Sequence, residues 1–73
     1  MSNPDIICKC LAKGETVYLK DDFYDAAIRI AGGTETYLKH KGRHEFHVPY
    51  SHDLLCQIEL GGDFISKEEY ENY

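Results

Sequence analysis

The chain has 73 residues, 42% of them hydrophobic and 29% charged, and a net charge of −5 at pH 7. That length suits one domain, residues 1–73, and is too short for two. The ordinary apolar fraction and modest net charge make disorder not the default reading, and the negative charge argues against a dedicated nucleic-acid binder, which usually carries a positive footprint.

Residues 5–12 alternate, with Ile6, Cys8, Cys10 and Ala12 on one face and Ile7, Lys9 and Leu11 on the other. That period of two predicts a strand. Lys13-Gly14 then predicts a tight turn, and residues 16–20, with Thr16, Val17 and Tyr18, a second strand. Asp21-Asp22 follows as a helix start, since aspartate caps an N-terminus and suits its dipole. Phe23, Ala26, Ala27 and Ile30 then fall at i, i+3, i+4 and i+7, one face of a helix, with Asp25 and Arg29 paired four apart. Gly32-Gly33 ends it.

Residues 34–40 and 43–48 read as two strands joined at Lys41-Gly42. A two-residue loop would set Tyr37 opposite Phe46 and Glu35 opposite Val48, with Tyr37, Phe46 and Val48 on one face. Residues 51–60 fit either a strand or a helix. Ser51 before them and Gly61-Gly62 after them favour the helix. Ser66 with Glu69 three residues on is a capping box opening a short C-terminal helical turn. Residues 60–70 are similar to a common small helical-hairpin pattern, which implies geometry and no activity. The expected fold is α+β: a four-stranded, mostly antiparallel sheet with two helices on one face (ββαββα) and that terminal turn. The second face would be wet, covered by a partner, or used for homodimerisation.

No apolar run approaches the roughly 20 residues of a membrane span. The stretch Met1-Ser2-Asn3-Pro4-Asp5 lacks the regions of a secretion signal. Three cysteines, an odd number, suit free thiols in a reducing compartment, so a cytoplasmic chain is expected. A zinc site from Cys8, Cys10, His44 and Cys56 is a weak alternative, because one intervening residue on a strand holds two sulfurs too far apart for tetrahedral ligands. No phosphate loop, dinucleotide fingerprint, nucleophile elbow or His-Glu-x-x-His motif is present. No catalytic residue and no cofactor are therefore assigned.

Two surfaces remain. Acids at Asp21, Asp22, Asp25, Glu68, Glu69 and Glu71, with Tyr24 and Tyr70 beside them, suit docking on a protein partner with a basic surface, such as a nucleic-acid-binding complex. In size, acidity and lack of a site the chain looks like the small inhibitors that phages encode against host defence systems, anti-CRISPR proteins included. That likeness is one of kind and implies a non-enzymatic interaction module. The alternative lies in residues 39–47, the one basic stretch, where Lys39, Lys41, Arg43 and His44 could contact an anion or nucleic acid.

Overall fold

The computed structural model describes residues 2–32 and 35–73. In chain order it runs α1 (Asn3–Ala12), β1 (Val17–Asp21), β2 (Ala26–Ile30), β3 (Thr36–His40), β4 (Phe46–His47), α2 (Asp53–Gly61), β5 (Asp63–Phe64) and α3 (Lys67–Glu71). The strands form one antiparallel sheet in the order β4-β3-β2-β1-β5. The class is α+β as expected, with five strands and three helices among the described residues. Gly33 and Thr34, the expected second stop glycine and the expected first residue of the third strand, lie outside the described residues, as does Met1.

Two expected elements are exchanged. Residues 5–12 belong to a helix and not a strand. Ser2 stands at its N-cap, Pro4 lies in its first turn and Asp5 adds an acid there. Ile7, Cys10 and Leu11, at i, i+3 and i+4, turn towards the core. The alternation of residues 6–12 thus coexists with a helical stripe, and the start signals decide. Gly14, at φ +76, follows the helix end and does not make a hairpin.

The segment expected to be a helix from Asp22 is instead a turn and then β2. Asp21 Oδ1 accepts the Phe23 N–H at 2.9 Å, an Asx-type turn made by the chemistry of a helix cap. Asp25 takes φ 48, which reverses the chain into β2. Ala26, Ile28 and Ile30 then alternate into the core, all fully buried. Phe23, expected on the buried helix face, is 86% exposed. Arg29 pairs with Glu45 and not with Asp25.

The β3–β4 register also differs by one. Tyr37 faces His47 and Leu38 faces Phe46, because five residues separate the strands and not two. A one-residue slip sends side chains to the opposite face, so Phe46 and Val48 share a face that Tyr37 does not. Thr36 closes this pair: its carbonyl accepts from Val48 N at 3.0 Å and its hydroxyl donates to the Val48 carbonyl. The expected helix over residues 51–60 is present as α2, but it starts at Asp53 with His52 and not Ser51 at its N-cap; Ser66 and Glu69 make the capping box at 3.1 and 3.2 Å.

The two faces of the sheet divide the molecule. On the first, Val17, Leu19, Ala26, Ile28, Ile30, Leu38 and Val48 meet Ile7 of α1 and Leu55 and Ile58 of α2. Asn3 Nδ2 donates to the Gly62 carbonyl at 2.9 Å and ties the start of α1 to the end of α2. The register sends Tyr18, Ala27, Arg29, Tyr37 and Lys39 to the second face. There α3 packs through Tyr70, which is 3% exposed and stands 5.2 Å from the Tyr18 ring.

Candidate functional site

The second face is built from charge. Arg29 Nε and Nη2 donate to the two Glu45 carboxylate oxygens at 3.1 and 2.6 Å, a forked pair across the sheet. The guanidinium also lies 4.1 Å from the Tyr37 ring centroid. Tyr70 donates its hydroxyl to Glu45 at 2.8 Å, so one carboxylate holds both a strand and α3. The Arg29 hydrogen bond holds the Glu45 carboxyl below the usual carboxylate range, with Tyr70 adding to it. Burial first, then Glu45, pushes the Tyr70 phenol up.

Lys39 is 8% exposed. Its ammonium donates to the carbonyls of Tyr70 at 3.0 Å and Glu71 at 3.4 Å, and lies 5.3 Å from the Tyr70 ring centroid. These carbonyls close α3, where a cation suits the helix dipole. Beside them opens a groove of about 560 Å³. Tyr18, Tyr70 and Thr16 line it with four cations, Arg29, Lys39, Arg43 and Lys67. His44, Glu45 and Glu71 complete its wall.

The acids lie elsewhere. The turn after β1 carries Asp21, Asp22 and Asp25 with Phe23 and Tyr24 between them. Those two rings meet edge to face at 5.0 Å, and Tyr24 is 40% exposed. The Asp25 carbonyl accepts from Lys41 N at 2.8 Å, which anchors the turn to the β3–β4 loop. Lys20 reaches Asp22 at 3.4 Å in an exposed pair of little energetic weight. Glu68 and Glu69 border a smaller hollow with Lys20, Lys41 and Tyr73. Tyr73 links it to the turn: burial, then the charges of Asp22 and Asp25, raise its phenol pKa.

The sequence-derived candidates therefore separate. Asp21, Asp22, Tyr24 and Asp25 share the turn, and Glu68 and Glu69 line the smaller hollow, which the turn residues do not. Tyr70 is not a surface residue, because its ring packs into the domain. Lys39, Arg43 and His44 line the larger groove, joined by Glu71, whereas Lys41 faces the smaller hollow, 5.5 Å from the Tyr73 ring centroid. Cys8 and Cys10 lie on α1 and Cys56 on α2, while His44 lies in the β3–β4 loop. Among the described residues no three His, Cys, Asp or Glu side chains are placed to hold a metal ion.

Three residues of these surfaces do not stand out in the sequence: periodicity places Phe23 in a core, and nothing local connects Arg29 and Lys67 with the basic stretch. Alternation of Tyr18, Arg29 and Lys39 with their buried neighbours is the signal that could have grouped them on one face. No helix of the described residues is long and apolar enough to cross a membrane. Comparison with protein-family models, curated proteins and solved structures finds no significant match.

Proposed function

We propose that the chain is a non-enzymatic interaction module that docks its acidic, aromatic turn on a basic protein surface. The observation that carries this is Phe23, 86% exposed at a turn tip and flanked by Asp21, Asp22 and Asp25. A large apolar side chain held in water gains nothing for the fold, and in an interface it is an anchor for a partner pocket. The surrounding carboxylates would steer the turn to a cationic rim and speed association at low salt. Tyr24, stacked edge-on against Phe23, widens the contact. Glu68 and Glu69, in the wall of the smaller hollow, would add to the negative charge offered to such a partner.

A basic surface with an apolar pocket is also the chemistry of a nucleic-acid-binding complex. A chain that covers it would exclude the nucleic acid, as an inhibitor of a defence complex would. The test is affinity capture with wild type, Phe23→Ala and an Asp21→Asn/Asp22→Asn/Asp25→Asn variant. A basic partner retained by wild type at low salt, released by added salt and lost from both variants supports docking through the turn. Equal retention by all three overturns it.

A further inference from the structure

The groove on the second face is not used by that docking turn, and its charge is opposite to that of the chain. Of eight lysines and arginines in a chain of net charge −5, four line this one groove. Only Glu45 and Glu71 oppose them there, which leaves a local surplus of two positive charges. Glu45 is already engaged by Arg29 and Tyr70, and Glu71 stands 4.0 Å from Lys67.

Two cations then lack a carboxylate. No Asp or Glu oxygen among the described residues lies within 4.0 Å of the Lys39 ammonium, although that residue is 8% exposed. An ammonium so enclosed is held at contact distance by two carbonyls and the face of the Tyr70 ring, with no carboxylate paired to it, a costly placement that an anion would relieve. Arg43 makes no side-chain ion pair or hydrogen bond among the described residues, and it lines the same groove. Guanidinium and ammonium together are the usual pairing for phosphate, one offering a planar fork and the other a point charge. The Tyr18 ring, partly exposed and backed by Tyr70, adds an aromatic wall.

We propose that this groove binds a phosphorylated small molecule of nucleotide size, its phosphate at Lys39 and Arg43 and its planar ring against Tyr18. The surplus of two charges matches a phosphate monoester, which carries about −1.5 to −2 at neutral pH. A volume of about 560 Å³ lies within the range of small-ligand sites. A long nucleic acid fits less well, because its backbone would run from the groove onto an acidic body.

The test titrates adenosine 5′-monophosphate, adenosine, inorganic phosphate and a single-stranded oligonucleotide into the full chain at low salt, read by amide NMR shifts. The monophosphate is expected to shift the Tyr18, Arg43, His44 and Lys67 amides, to bind more tightly than phosphate or adenosine, and to weaken as salt is added. Arg43→Ala, an exposed change, should weaken it about tenfold or more. Phe23→Ala should leave it unchanged, which separates this site from the docking turn. Absence of shifts at millimolar monophosphate, undiminished affinity in Arg43→Ala, or tighter binding of the oligonucleotide would each overturn the proposal.

Discussion

Removing the Tyr70 side chain should undo much of the second face. Helix α3 has five residues, far below the length at which an isolated helix persists in water, so it is held by what it packs against. Tyr70 is its buried residue, with the ring on Tyr18 and the hydroxyl on Glu45. Truncating a buried aromatic to alanine costs about 3–5 kcal/mol. A domain of this size, at about 0.05–0.15 kcal/mol per residue, has only about 4–11 kcal/mol in total. Tyr70→Ala should therefore lose about a quarter of the stability or more. Tyr70→Phe keeps the ring and loses one hydrogen bond to a charged acceptor, discounted to about 1 kcal/mol because the Glu45 side chain is 33% exposed and can recruit water. Urea unfolding followed by circular dichroism separates the two. With a slope near 1 kcal/mol/M, Tyr70→Phe should move the midpoint by about 1 M and Tyr70→Ala by several. A Tyr70→Ala protein within about 0.5 kcal/mol of wild type would show that α3 is not docked as described.

Phe23→Ala should change stability by less than about 0.5 kcal/mol, since an 86% exposed ring has little buried area to lose; a clear drop in melting temperature would contradict its exposure. Gly62→Ala should cost about 1–3 kcal/mol, because an added Cβ would meet the Ile58 carbonyl oxygen at 2.6 Å and that of Lys20 at 2.8 Å. Gly61→Ala, whose Cβ would enter open space, is the control, and equal effects in urea would sink the argument. For Glu45 the folded pKa is depressed, so its stabilisation is present above the unfolded value near 4.3 and lost as pH falls through the folded one. The stability gap between wild type and Glu45→Gln should then narrow below about pH 4, and a gap constant from pH 7 to pH 3 would refute it. Burial, then Glu59, pushes the Tyr50 phenol up to about 12, and Tyr70 is raised as well. Unfolded tyrosines ionise near 10, so stability should fall as pH rises above about 10. Ultraviolet titration should find phenols that ionise late in the native chain and near pH 10 in urea.

The elements legible in the sequence are those whose signals are local. Ser66 and Glu69 make their capping box from four consecutive residues, and α2 ends at Gly61-Gly62 as the glycine pair signals. The strands β1 and β3 are rich in residues that suit a pleated surface. The exchanged pair, α1 and β2, failed because two signals competed in each. Residues 6–12 alternate and also carry Ile7, Cys10 and Leu11 at helical spacing. Asp21 offers its carboxylate to a backbone N–H two residues on, which serves a turn as well as a helix start. Only tertiary context resolves this: Ala26, Ile28 and Ile30 are needed between Val17 and Leu19 on one side and Thr36 and Leu38 on the other. The grouping of Asp21, Asp22 and Asp25 on one turn is legible from charge alone, whereas the exposure of Phe23 is hidden by the same mistaken periodicity.

Both proposed surfaces depend on the end of the chain that α3 occupies. The helix supplies Tyr70 and Lys67 to the groove, and its carbonyls hold the Lys39 ammonium in place. Past the helix, the Tyr73 carbonyl accepts from Gly42 N at 3.0 Å and grips the loop that carries Arg43 and His44. Tyr73 also lies within reach of the charges of Asp22 and Asp25 on the turn after β1. The first core, between the sheet and α1 and α2, does not need any of these contacts. A chain with Tyr70→Ala could therefore keep that core and lose the shape of the second face. In such a protein the amides of Lys39, Arg43 and His44 should move together in an NMR spectrum, while those of Ile7, Leu55 and Ile58 stay. If the core amides shift as much as the groove amides, the two faces are one cooperative unit, and α3 is as much a part of the fold as α2.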